Sequence, residues 1–227
     1  MTPIIGLGIA FVIMAAVFTL LAVLFPGQKG QRFFRTGFRI DLFYWFFTPL
    51  VTKAVSRIAM IAVALPLVLA MGLSWEQLKQ SGYHGFGPVS RQPFWLQGVE
   101  IFLLGDLLGY WMHRLFHGRK LWSFHAVHHC STEIDWLSSV RLHPFNEAFT
   151  RMVEVIPLFV AGFNPKALAA YVPLVTVHAI FLHANVNWSF GTFYLPAGKN
   201  PENFGVNDPV PESLWGQLIY PFQHRQP

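Results

Sequence analysis

The sequence predicts an all-α integral membrane protein, with about four to five membrane or re-entrant helices capped by a cytosolic, histidine-rich helical region. Three observations carry that prediction. The chain is 53% hydrophobic and only 12% charged, too little charge to cover the surface of a soluble protein. Several apolar runs approach the length that crosses a bilayer. Five of the ten histidines fall between His113 and His129, in the stretch "HRLFHGRKLWSFHAVHHC".

The elements follow in chain order. Ile4–Phe25 is uncharged over 22 residues, enough at about 1.5 Å rise per residue to span a hydrocarbon core of about 30 Å. No basic stretch precedes it and no small-residue cleavage motif follows, so it reads as a retained anchor and not a cleaved signal. Ala54–Leu73 is the second candidate, with Arg57 placed to snorkel and Pro66 to kink it. Phe94–Trp111 is the third and carries Glu100 and Asp106. The runs "MVEVIPLFVAGFN" and "ALAAYVPLVTVHAIFLH", split by the Asn164-Pro165 turn, make two spans or one re-entrant hairpin. From Ala184 onward the chain is polar and rich in Pro and Gly, and reads as a surface tail.

The net charge of +5 belongs to topology and not to nucleic-acid binding, because the basic residues cluster beside apolar runs. Lys29, Arg32, Arg35 and Arg39 follow the first run, and Lys53 and Arg57 stand at the leading end of the second. The positive-inside rule places that loop in the cytosol. Counting spans forward then returns residues 114–151, and His183 after the hairpin, to the same side. The single cysteine, Cys130, excludes an intrachain disulfide and a cysteine-ligated iron–sulfur cluster.

Two histidine groups have helical spacing. Asp106, Tyr110, His113 and His117 are separated by four, three and four residues, which puts them on one stripe of a helix. Ionisable groups at the end of a membrane helix face protein, water or metal. Alone, that stripe also fits a polar helix-packing seam. His125, His128 and His129 in "HAVHH" stand at i, i+3 and i+4, again one face. Crowded imidazoles repel once protonated and are stable when their lone pairs meet a cation, so metal binding is expected over a solvated histidine patch. Imidazole suits iron, zinc, copper or nickel. There is no HExxH of a zincin protease and no paired ExxH of a soluble carboxylate di-iron bundle. A metal transporter would need histidines deep in several spans, whereas these collect at one face.

The segments "DLLGYWMHRLFH", "FHAVHH", "RLHPFNE" and "HANVNW" resemble the fatty acid hydroxylase/sterol desaturase superfamily of membrane non-haem di-iron enzymes. The resemblance covers about residues 40 to 188 and resumes in the tail. It divides the chain into an anchor and basic loop (1–39), a hydroxylase-like membrane and metal domain (40–190) and a C-terminal tail (191–227). By position it implies that His113, His117, His125, His128 and His129 fill the first two ligand boxes and that His183 fills a later one. His143 stands as ligand or as a residue behind the ligands, with Glu147 one turn on to orient it, and Asp106 is the other orienting carboxylate. His178, about 140° around a helix from His183, joins only where the helix ends or bulges. Each of these also fits a satisfied polar core position, whereas His84, His224 and Cys130 are expected to stand outside the chemistry.

The resemblance further implies O2-dependent hydroxylation or desaturation of a membrane lipid at iron. Electrons would come from an external ferredoxin or cytochrome b5-type donor with its reductase, since the chain has no GxGxxG, iron–sulfur cysteine set or fused haem domain. The membrane would be a bacterial inner membrane or the ER.

One departure from the family pattern matters. A third histidine cluster is expected after "HANV", yet "NWSFG" runs directly into "TFYLPAGKNPENFGVN", and the only later histidine is His224. An internal deletion joined at an "FG" dipeptide, or a natural shortened variant, gives this sequence. It favours one metal over two, zinc included, and the alternative reading is a non-catalytic metal-binding membrane protein.

Overall fold

The computed structural model describes residues 3–72, 74, 76–77, 84–118, 120–190, 193–194, 210–211 and 213–223. They are helical apart from loops and a pair of two-residue strands, Ser189–Phe190 and Phe193–Tyr194. The chain divides into two compact units: residues 1–51, 119–143 and 177–227 form unit 1, and residues 52–118 and 144–176 form unit 2.

Unit 1 begins with helix α1, Pro3–Leu24. Most of its large side chains are exposed, including Val12 and Val23, as suits a helix solvated by lipid. Its buried face is narrow: Phe18 stacks on Trp136 at 6.1 Å, and Trp45 donates from Nε1 to the Leu7 carbonyl. Helix α2, Phe38–Phe47, starts after Gly37, whose φ of 82° requires glycine, and runs into a π turn at Thr48–Thr52. Helix α5, Trp122–His129, carries the HAVHH motif. The last seven residues of α7, Pro165–His183, also belong to unit 1. Helix α8, Leu214–Gln223, packs Tyr220 against Trp122 and Ala126 of α5. The tail is therefore not purely surface: an amphipathic turn within the Pro-rich stretch buries Gln217 and Tyr220.

In unit 2, helix α3 (Lys53–Ala70, with Pro66 inside) and helix α4 (Phe94–Phe116) pack against α6 (Pro144–Val160). A turn through Gly162, at φ 94°, leads from α6 into α7. Gln97 secures that turn, its side-chain oxygen accepting from Asn164 N–H at 2.9 Å. Ile101, Leu158, Phe163 and Ala167 form the core.

Two described helices are long and apolar enough to cross a membrane, Ile4–Leu24 and Pro165–His183. Of the four to five expected, two are thus supported among the described residues; α4 carries Glu100, Asp106 and Arg114, and α6, 17 residues long, carries Glu147, Arg151 and Glu154.

Candidate metal centre

The i, i+3, i+4 spacing of HAVHH becomes a real helical face in α5. His125 is buried, and its Nε2 lies 3.0 Å from Nε2 of His129. Trp122, one turn earlier, packs its ring against both imidazoles. His128 reaches instead to the end of α7, where its Nε2 lies 3.1 Å from Nε2 of His183.

The other nitrogens of this last pair define its chemistry. Nδ1 of His183 lies 2.7 Å from the Ala179 carbonyl, one turn back in α7. Nδ1 of His128 lies 3.1 Å from the Arg141 carbonyl. A carbonyl only accepts, so each Nδ1 carries a hydrogen, and in a neutral ring each Nε2 is then a bare lone pair. Two lone pairs facing at 3.1 Å repel unless a proton or a metal cation sits between them. A carbonyl behind each ring and a lone pair in front is how a metal-ligating histidine is oriented.

In unit 2, α4 ends on the second group. His113 and His117 are exposed, with their Nε2 atoms 3.0 Å apart. Of the stripe that leads to them, Asp106 is exposed and the Tyr110 hydroxyl accepts from Nη1 of Arg114 at 3.1 Å. His113, His117, His125 and His129 each present a ring nitrogen able to ligate a metal. A donor set of neutral imidazoles fits iron, zinc, copper or nickel.

The remaining sequence candidates are placed as follows. His143 is buried in unit 1, its Nε2 3.1 Å from the Leu218 carbonyl of α8 and its ring edge-on to Phe124. Burial pushes this imidazole below its ordinary pKa, and the Leu218 carbonyl only partly opposes the shift. Glu147 lies in unit 2 and accepts from Nε of Arg151 at 3.2 Å. His178 sits on α7, which stays α-helical through His183. His84 opens the stretch before the short 3-10 turn Val89–Arg91. His224 and the Gly191 junction lie outside the described residues.

Sequence spacing missed a buried ion network in unit 1. Asp41 of α2 accepts from Arg35 at 2.7 Å and from Nε of Arg141 at 2.6 Å, and Arg35 also pairs with Asp135. Asp135 caps the 3-10 turn Trp136–Val140 by accepting from the Leu137 and Ser138 N–H groups. Arg141 further donates to Sγ of Cys130 at 3.0 Å. Burial pushes the Cys130 thiol up in pKa, with Arg141 opposing, so it stays protonated. Because the Arg141 carbonyl holds the His128 ring, the network fixes the backbone that orients a candidate ligand. One local signal is present in the sequence: Asp135 is a favoured helix N-cap residue type, placed just before Trp136.

Compared with known proteins, residues 98–203 match the family model described as fatty acid hydroxylase. The matched segment contains all eight histidines from His113 to His183. No curated protein and no solved structure matches the chain.

Proposed function

Residues 98–203 belong to the fatty acid hydroxylase/sterol desaturase superfamily, and on that premise we propose that the chain is a membrane metalloprotein for O2-dependent hydroxylation or desaturation of a lipid. The observation that carries this reading is the His128–His183 pair, with facing Nε2 atoms 3.1 Å apart and both Nδ1 atoms held by carbonyls. We assign His113, His117, His125, His128, His129 and His183 as ligands, with His143 as a further candidate and Asp106 and Glu147 as orienting carboxylates; the unbroken helix through His183 leaves His178 out of the set. Iron, the family's metal, supplies O2-dependent oxidation of an unactivated C–H bond. The chain's own part is to hold and orient imidazoles: the Ala179 and Arg141 carbonyls set the tautomers of His183 and His128, and Trp122 shields His125 and His129. Electrons come from an external ferredoxin or cytochrome b5-type donor with its reductase. The Lys29–Arg39 cluster supports a cytosolic histidine face, at a bacterial inner membrane or the ER.

A second reading, one metal without turnover, is favoured by a specific observation: a single histidine, His224, follows His183, where the family pattern places a further cluster. Purification in detergent with iron and zinc counted per chain, then incubation with reductant, O2 and lipid extract, separates the two. Two irons and an oxidised lipid establish the first reading. One zinc and no product establish the second, and a metal-free chain overturns both.

A further inference from the structure

Unit 2 holds a half-open cavity of about 360 Å³ that the histidines do not line. Its wall changes character along α6. Glu147, Arg151 and Glu154 occupy the first part, and Val155 and Leu158 follow. From Glu147 to Leu158 is about 16 Å of helix at 1.5 Å per residue. Leu168 and Tyr171 of α7 continue the apolar part, and Gly105 of α4 gives it room: a Cβ there would stand 2.4 Å from the Tyr171 hydroxyl.

The charges at the polar end do not cancel. Arg151 holds both acids, Glu147 at 3.2 Å and Glu154 at 3.0 Å. Lys53 and Arg57, one turn apart on α3, line the same cavity; Lys53 is also attracted by Glu147, and the three cations against two carboxylates leave one positive charge in excess. An excess of positive charge at one end of a cavity whose other end is apolar calls for an anion that carries a hydrocarbon chain. The volume is at the small end of ligand cavities, which suits one chain and not two.

We infer that this cavity binds a single-chain anionic amphiphile, its carboxylate or phosphate held by Lys53 and Arg57 and its chain lying along Leu158 and Leu168. Both cations lie outside the segment that matches the family. The site stands on unit 2 alone and needs no metal, so it can fail while the metal reading stands, and the reverse.

The test uses the purified full chain in a nonionic detergent, with native mass spectrometry of added palmitate, lysophosphatidylglycerol and hexadecanol. At least one anion is expected to bind one per chain, about tenfold tighter than hexadecanol. Palmitate alone would assign a carboxylate head, and lysophosphatidylglycerol alone a phosphate. The double variant Lys53→Gln/Arg57→Gln should lose that preference while hexadecanol binding is unchanged. Leu158→Trp should block all three. Equal affinity of the wild-type chain for hexadecanol and both anions overturns the inference, as does undiminished anion binding by the double variant.

Discussion

Units 1 and 2 both bury charge, and they balance it differently. In unit 1 two guanidiniums, Arg35 and Arg141, meet two carboxylates, Asp41 and Asp135, and the side chains of Arg35 and Asp41 are fully buried. In unit 2 Arg151 alone holds Glu147 and Glu154, its side chain is 27% exposed, and Lys53 and Arg57 add positive charge around a cavity. A closed network has no room for a ligand and keeps its backbone fixed, which serves the His128 imidazole. An open one keeps a place for something from outside. The same residue types thus build a rigid support in one unit and a receptive surface in the other.

The sharpest way to break the contrast is Asp41→Ala. It leaves Arg35 and Arg141 buried without their shared carboxylate, and should cost about 3–5 kcal/mol in thermal denaturation. A loss under about 1 kcal/mol would show that water reaches the network. Next comes Gly162→Ala in unit 2, where φ is +94° and a Cβ would meet the Phe86 carbonyl oxygen at 2.2 Å. That should cost about 1–3 kcal/mol. Gly8→Ala, with nothing within 4 Å of its Cβ, should instead gain about 0.5–1 kcal/mol. Glu154→Gln should cost only about 1 kcal/mol, because its partner Arg151 is partly exposed and keeps Glu147. If Glu154→Gln costs as much as Asp41→Ala, the two units do not differ as described. A second gain is expected in unit 1. Gln217 of α8 is fully buried and neither amide atom has a hydrogen-bond partner among the described residues. Gln217→Met should therefore raise stability by about 1 kcal/mol.

These comparisons also mark what could be read from the sequence. Helices α1, α3 and α4 were legible as apolar runs bounded by Pro, Gly or charge, and the Asn164-Pro165 turn fell in the right place. Helix α2 was not, because "FRIDLFYWFF" is apolar on nearly every side and shows no 3.6-residue period. Helix α8 was hidden in a Pro-rich stretch whose burial depends on a partner, α5, some ninety residues away. At the site, i, i+4 pairs such as His113–His117 follow from helical geometry alone. The approach of His183 to His128 joins positions 55 apart, and spacing has no access to it; only the resemblance placed His183 among the candidate ligands. The Arg141–Asp41 pair, 100 positions apart, had no such guide.

The central claim is that the facing imidazoles of His128 and His183 hold a metal. It is tested most directly by metal analysis of the chain purified from membranes, beside His128→Ala and His183→Ala. The account predicts about one or two iron or zinc ions per chain, bound through nitrogen in X-ray absorption spectra, with metal lost from each variant while helicity is kept. A metal-free wild-type chain, or variants that retain full metal, would contradict it.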